Sequence, residues 1–230
     1  MKEGRSKYAL LILIVWVWVF LGIVATITLI AYVKGVSLDF KELINMLSKE
    51  PYLASYGEVV GIGALPLLIS FIRKDDPKMY GLGRKSLLKS LALSLPPAVA
   101  ISIARIMHGD LSIEGFSLRF PLNIWYAVLG VLAYGPLEVF FVVWLIVNTD
   151  IVLNSTKKVI SPGLLITVLV FGLSHVLLSP QGGLLNAIKV TAIFMGLGLI
   201  FKYTRNSIGP MIAWTLINGQ VSYLLVGCLT

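Results

Sequence analysis

Long apolar stretches recur along the whole chain and constrain its architecture more than any other feature. The first reads YALLILIVWVWVFLGIVATITLIAYV, and several later stretches hold about 18 or more mostly apolar residues, enough for a helix to cross about 30 Å of hydrocarbon. Of the 230 residues, 57% are hydrophobic and 13% are charged, whereas soluble domains carry roughly 25% charged residues. The sequence therefore predicts an all-α fold, a polytopic membrane helix bundle that forms one transmembrane domain over residues 1–230.

Seven predicted spans account for this pattern, and an odd number places the two termini on opposite sides of the membrane. With the N-terminus inside, twelve Lys and Arg residues lie in inner segments and four in outer segments, as expected from the excess of basic residues in cytoplasmic loops. We therefore expect a multi-pass protein of the cell membrane with a cytoplasmic N-terminus and an outer C-terminus. The spans lie near residues 8–33, 55–72, 86–107, 123–148, 162–179, 187–201 and 208–228. The inner basic residues are Lys2, Arg5, Lys7, Arg73, Lys74, Lys78, Arg84, Lys85, Lys157, Lys158, Lys202 and Arg205.

The net charge of +8 follows from this topology, because basic inner loops attract the anionic headgroups of membrane lipids. The expected partners are therefore membrane lipids and not nucleic acid. Asn154-Ser155-Thr156 matches a glycosylation sequon, but the predicted orientation places it on the cytoplasmic side, where we expect it to stay unmodified.

Three polar side chains reach nearly the same depth in three different predicted spans. At 1.5 Å of rise per residue, Glu138 lies about 15 Å from the inner end of its span, His175 about 20 Å into the next, and Asn218 about 15 Å into the last. An ionisable group at such a depth almost always faces the bundle interior or a wet cavity and finds a partner. We therefore expect Glu138 to meet His175 and Asn218 in one site. The alternative is a polar cluster that only holds the helices together.

Two further features concern the outer half of the predicted bundle. Gly57 and Gly61 form a small-xxx-small pair, which predicts close packing of the second span against another helix. Glu58 and Arg105 lie near the outer ends of the second and third spans, where long charged side chains reach toward water. A Glu58–Arg105 ion pair is the alternative interpretation.

The residues around the three polar positions resemble a known family. The fifth span contains VFGLSHVLL, which is F-x-x-x-H from Phe171 to His175, and the last span with its lead-in reads GLGLIFKYTRNSIGPMIAWTLING. Both are similar to the CAAX prenyl protease and bacteriocin-processing family of intramembrane proteases, also called the abortive-infection family. YGLGRKSLLKSL at residues 80–91 is similar to that family's approach to its core. The family-like core covers about residues 80–225, and the resemblance is best over about 130–225.

The resemblance implies a glutamate-dependent membrane endopeptidase. The family's motifs are E-E-x-x-x-R, F-x-x-x-H and H-x-x-x-N (or Asp), each on its own span. Glu138 most naturally takes the second Glu of the first motif, so that Leu137 and Val142 replace the other Glu and the Arg. A shifted alignment makes Glu138 the first Glu. In the third motif Trp214 replaces the His, and Asn218 is kept.

The same resemblance implies catalytic roles for the three deep polar residues. Glu138 and His175 would hold and activate a water that attacks the carbonyl of a membrane-bound, prenylated or otherwise lipidated peptide. Asn218 would donate its amide N–H to the developing oxyanion.

Three neighbouring aromatic residues are candidates for substrate or oxyanion contacts. Trp214 has an indole N–H, a donor without acceptor capacity, and either supplies a second oxyanion contact or fills the substrate cavity. Tyr134 lies one turn before Glu138 and either donates a hydrogen bond to it or only packs. Phe171 begins the F-x-x-x-H motif and is expected beside the same site.

No metal and no other cofactor is expected. Catalytic zinc normally takes three protein ligands, whereas the chain has two histidines and one cysteine and lacks an H-E-x-x-H motif. One of the two histidines, His108, falls in a predicted outer loop.

Three functions are compatible with these features. The first is an intramembrane endopeptidase of the family's kind. The second is a catalytically impaired relative that serves as a membrane binding or scaffold protein, because three of the family's polar positions are replaced. The third is a proton-linked transporter in which Glu138 and His175 form a relay.

Overall fold

The structure, a computed structural model, describes residues 2–50, 52–108, 120–178 and 183–219. Within these ranges every regular element is a helix, which confirms the all-α prediction. The α-helices are α1 (Lys2–Lys34), α2 (Phe40–Lys49), α3 (Tyr52–Glu58), α4 (Leu65–Ile72), α5 (Leu87–Met107), α6 (Leu122–Leu132), α7 (Glu138–Val152), α8 (Pro162–Leu178), α9 (Gly183–Thr204) and α10 (Ile208–Ile217). Two π-helical segments, Val59–Ala64 and Ala133–Leu137, connect α3 to α4 and α6 to α7, and a short 3₁₀ helix covers Pro77–Tyr80.

Five helical stretches in the described ranges are long and apolar enough to cross a membrane: Arg5–Lys34, Tyr52–Ile72, Leu87–Met107, Leu122–Val152 and Gly183–Thr204. The helices Pro162–Val176 and Ile208–Ile217 are apolar but shorter. All seven coincide with predicted spans, yet the count of seven is not confirmed, because two of them fall short of membrane length. The last predicted span, 208–228, meets a turn at Asn218 and Gly219, and its residues 220–228 lie outside the described ranges. Gly219 has a left-handed φ of 82°, which is typical of the glycine that ends a helix.

The two π-helical segments are wide turns inside otherwise continuous spans. Pro66 lies two residues after the first segment and Pro136 lies within the second, and a proline offers no N–H to the carbonyl four residues before it. A wide turn accommodates such a break in the hydrogen-bond ladder. In the first segment the Val60 carbonyl accepts a hydrogen bond from the Trp18 indole N–H at 2.8 Å. Segments of this kind occur often at functional sites.

The chain divides into two compact units, to both of which α1, α5, α7 and α10 contribute residues. The first unit comprises α1 as far as Ile14, Lys74–Leu95 and the described part of Val139–Met211. The second unit comprises the described parts of Val15–Arg73 and Pro96–Glu138, together with α10 from Ile212.

The core of the first unit surrounds α7, which is buried on every side from Val139 to Ile146. A helix that is apolar all round must be enclosed by others. The Phe141 and Phe171 rings lie 5.8 Å apart between centroids, and the Phe171 and Phe194 rings 4.8 Å apart. These contacts join α7, α8 and α9, and α8 packs closely against α9.

Asp150, in the last turn of α7, ties the same three helices together through hydrogen bonds. Its carboxylate accepts the Ser161 hydroxyl at 2.8 Å and the Gly163 N–H at 2.9 Å, both at the start of α8. It also accepts the Lys202 ammonium, from the last turn of α9, at 2.7 Å. Lys202 is only 5% exposed and lies in the last turn of α9, so its assignment to a loop was wrong, whereas its inner side stays a prediction. An ammonium group tolerates such burial because a carboxylate pairs with it.

Close helix contacts characterise the second unit. A Cβ built on Gly22 of α1 would lie 2.9 Å from the Cα of Gly61, which confirms the close packing predicted from the small residues of the second span. At Gly57 a Cβ would meet Ile23 at an ordinary 3.7 Å. Of Gly57 and Gly61, Gly61 is therefore the position at which the backbone of the second span lies closer to that of α1.

Candidate functional site

Glu138 is a buried carboxylate inside a membrane-length helix. It is the first residue of α7, directly after the second wide turn, and is 4% exposed. The indole Nε1–H of Trp214, on α10, donates to its Oε2 at 2.6 Å. A hydrogen bond to a carboxylate is stronger than one between neutral groups, so it fixes the orientation of the Glu138 side chain and leaves Oε1 as the other acceptor.

Glu58 brings a second carboxylate to this place. It is the last residue of α3, directly before the first wide turn, and it is half-buried. It interacts electrostatically with both Glu138 and Tyr134. Arg105, the alternative partner in the sequence analysis, donates instead to the Ile217 carbonyl. Glu58 therefore belongs to the surroundings of Glu138.

The two wide turns approach each other beside these acids. A Cβ built on Gly63 in the first segment would lie 2.7 Å from the Leu137 side chain in the second, so only glycine allows this separation. Tyr134 departs from helical geometry with φ −90° and ψ 17°, and its phenol interacts with the charges of Glu58 and Glu138. The irregular backbone thus places a tyrosine within electrostatic reach of both carboxylates.

His175 and Phe171 lie on α8, in the first unit. The His175 Nδ1 lies 2.9 Å from the Phe171 carbonyl oxygen, and because a carbonyl only accepts, Nδ1 carries the proton and Nε2 keeps its lone pair. The two rings form an edge-to-face contact with centroids 4.9 Å apart. Glu138 belongs to the second unit, and its expected meeting with His175 stays a prediction.

Asn218 lies in the turn that follows α10, one helical turn after Trp214, and is half-buried. Its backbone N–H donates to the Trp214 carbonyl at 2.8 Å. Its expected contact with Glu138 stays a prediction. The Trp214 N–H is engaged by Glu138, so an oxyanion contact from this indole would require that hydrogen bond to open.

The site combines proton acceptors and donors in apolar surroundings. Glu58 and Glu138 can accept protons, and Tyr134 and Trp214 can donate hydrogen bonds. The buried hydroxyl of Ser55 lies beside the Tyr134 phenol. A set of proton acceptors and hydrogen-bond donors of this kind can hold a water molecule and move a proton. Within the described residues, no group of three or more His, Cys, Asp or Glu side chains is arranged to hold a metal ion.

Two contributions to the site escaped the sequence analysis. Glu58 was placed at the membrane border, and the Trp214 N–H was not paired with Glu138. A signal for the first was present, since Glu58 precedes the run VVGIGALP, in which glycines and a proline indicate an irregular span. The hydrogen bond joins residues 76 positions apart, and no local pattern encodes such a contact.

Comparisons with protein-family models, with curated proteins and with solved structures gave no match, so the resemblance to the CAAX prenyl protease and bacteriocin-processing family rests on the sequence motifs alone.

Proposed function

We propose that the chain is a membrane-embedded endopeptidase, similar to the CAAX prenyl protease and bacteriocin-processing family, that hydrolyses membrane-bound peptides, prenylated peptides among them. The observation that carries the proposal is the pair of carboxylates, Glu58 and Glu138, inside membrane-length helices, with Glu138 held by the Trp214 N–H. Intramembrane acids are rare and mark functional sites. The basic residues favour a cytoplasmic N-terminus and an outer C-terminus in the cell membrane.

In the proposed reaction, Glu138 takes a proton from a water through Oε1 while the water oxygen bonds to the peptide carbonyl carbon. The C–N bond then breaks, and the proton passes from Glu138 to the leaving amine. Glu58 assists by exchanging this proton with Glu138. In the family two glutamates are adjacent in the sequence; here Leu137 stands in place of one of them, and Glu58 supplies the second carboxylate instead. His175, with a free lone pair on Nε2, is the second proton acceptor that the resemblance implies.

The experiment is cleavage of lipidated peptides by the purified protein in liposomes. We expect Glu138→Gln and Glu58→Gln each to lower the cleavage rate by about 10²- to 10⁴-fold, the contribution typical of general acid–base groups. Glu42→Gln, at an exposed position on α2, is the matched control and should cleave like the wild type. A wild-type rate no higher than that of Glu138→Gln would exclude the endopeptidase and favour the impaired relative that serves as a scaffold.

Proton transfer is the second candidate function, because two carboxylates from different helices, Glu58 and Glu138, interact electrostatically and chains of such groups relay protons in transporters. Liposomes loaded with a pH-sensitive dye test it. Proton flux that is unchanged by Glu138→Gln would exclude a relay through this pair.

A further inference from the structure

A cavity of about 760 Å³ lies in the first unit, near the ends of α7 and α9. Its walls come from the C-terminal ends of α7 and α9 and from three connections, those between α4 and α5, between α7 and α8, and between α9 and α10. The sequence predicts all three on the inner side of the membrane. Five cationic residues line the cavity: Lys78, Lys85, Lys157, Lys202 and Arg205.

Most of this positive charge is not neutralised by the protein. Asp150 also lines the cavity, but its carboxylate is paired with Lys202 at 2.7 Å. In the part of the chain that the structure describes, no salt bridge reaches the other four cations. Like charges repel when they share a cavity, so their convergence indicates an anionic ligand. Basic loops that only set topology have no need to face one cavity.

The walls that carry the cations are held in place by hydrogen bonds. The Asn206 side chain, after α9, donates to the Gly83 carbonyl at 2.7 Å and to the Lys85 carbonyl at 3.1 Å. The Ser207 hydroxyl donates to the Tyr80 carbonyl at 2.8 Å. These bonds join the connection that bears Lys85 to the connection between α9 and α10.

Gly81 secures the same junction by close backbone contact. Its φ is 75°, and a Cβ at this position would lie 2.6 Å from the Ser207 nitrogen. Only glycine fits both conditions. The Ser207 N–H donates to the Gly81 carbonyl at 3.1 Å. Lys78 and Arg205 therefore project from a preformed frame, and preformed cavities of about 300–1,000 Å³ are typical of small-molecule sites.

We propose that this cavity binds a phosphate-bearing ligand of headgroup size. A phosphate monoester offers several acceptor oxygens and about two negative charges, which suits four unneutralised cations. Arg205 can bind two of those oxygens with its planar guanidinium, and Ser155 and Thr156, which carry hydroxyls, also line the cavity. The headgroup of an anionic phospholipid and a soluble phosphate ester share this chemistry. Val147 and Ile151 supply apolar lining for the carbon part of either.

The test is isothermal titration of the purified full chain in a neutral detergent. The probes are dihexanoyl phosphatidic acid, glycerol 3-phosphate, which has the same headgroup without acyl chains, and dihexanoyl phosphatidylcholine, which has the same chains without net charge. The cavity variant Lys85→Gln/Lys157→Gln is compared with the control Arg84→Gln/Lys158→Gln. Each pair removes two exposed charges from the same two connections, but Arg84 and Lys158 do not line the cavity.

We expect the cavity variant to bind the phosphate probe about tenfold or more weakly than the wild type, since hydrogen bonds to charged groups are the strong ones. The affinity of the control variant should change by less than about threefold, because salt screens distant charges. Binding that requires acyl chains identifies a lipid; equal binding of glycerol 3-phosphate identifies a soluble ester. No binding of either phosphate probe, equal losses in both variants, or equally tight phosphatidylcholine would overturn the proposal. Should the double variant not fold, Lys157→Gln is compared with Lys158→Gln.

Discussion

The buried ion pair between Asp150 and Lys202 makes a sharp prediction about stability. In the variant Asp150→Asn the side chain keeps its shape but loses its charge and one acceptor oxygen. The Lys202 ammonium, 5% exposed, then stays buried without a counter-ion. Removing one partner of a buried ion pair typically costs about 3–5 kcal/mol. One of the two other donors, the Ser161 hydroxyl or the Gly163 N–H, also loses its acceptor, so we expect a loss in the upper part of that range.

Unfolding in mixed detergent micelles, or steric trapping in bicelles, measures this free energy. The double variant Asp150→Asn/Lys202→Met removes both charges and should recover most of the loss, because replacing a whole buried pair is often neutral. Lys34→Gln, which breaks the exposed Lys34–Glu50 pair, is the control and should cost about 0.2–1 kcal/mol. An Asp150→Asn variant within about 1 kcal/mol of the wild type would refute the reasoning, since it would mean that water already solvates the ammonium.

Two further predictions concern the second unit. Gly61→Ala should lower the unfolding free energy by about 1–3 kcal/mol, the usual cost of overpacking, because its Cβ would lie 2.5 Å from Ile23. The control Gly57→Ala, whose Cβ would make an ordinary 3.7 Å contact, should be neutral or stabilising. Equal losses of unfolding free energy at both sites would contradict this explanation. The hydrogen bond from Lys34 lowers the pKa of Glu50 below its ordinary 4.5, so the stabilisation it gives is full above pH 4.5 and is lost as the pH falls through the folded-state pKa. An NMR titration should therefore show the carboxyl pKa rising toward 4.5 in Lys34→Gln, and an unchanged pKa would exclude this cause.

The helical architecture was predictable because apolar composition alone decides it. Each predicted span coincides with an apolar helix, and five have membrane length. The ends of the helices were harder to predict, since each depends on one or two residues. The last predicted span continued past Asn218, whereas the helix stops at Ile217 with Gly219 in a left-handed conformation. A glycine that ends a helix cannot be told by composition from one within a membrane span.

The surroundings of Glu138 were only partly predictable from spacing. Its burial followed from its depth, but Glu58, predicted near the outer end of its span, was not expected to interact with it. Sequence spacing assumes regular helices, and the wide turns at Val59–Ala64 and Ala133–Leu137 change which residues share a face. Prolines and glycines in the spans indicate that a break exists, but they do not tell which neighbours it brings together.

Pairings between residues that are far apart in the sequence could not be predicted, because no local pattern encodes them. Lys202 was interpreted as a loop residue because positive charge near the end of a span usually lies in water. Its partner Asp150 is 52 positions away, on another helix. Only the packing of α7 against α9 brings the two charges together.

The wide turns also have an evolutionary consequence. A π turn holds one residue more than a regular α-helical turn, so deleting one codon within Val59–Ala64 would restore a regular helix between α3 and α4. The residues that flank the turn would then meet other neighbours, although the hydropathy of the span would hardly change. A single in-frame insertion or deletion is therefore enough to create or abolish a wide turn in a lineage, while membrane insertion is left intact.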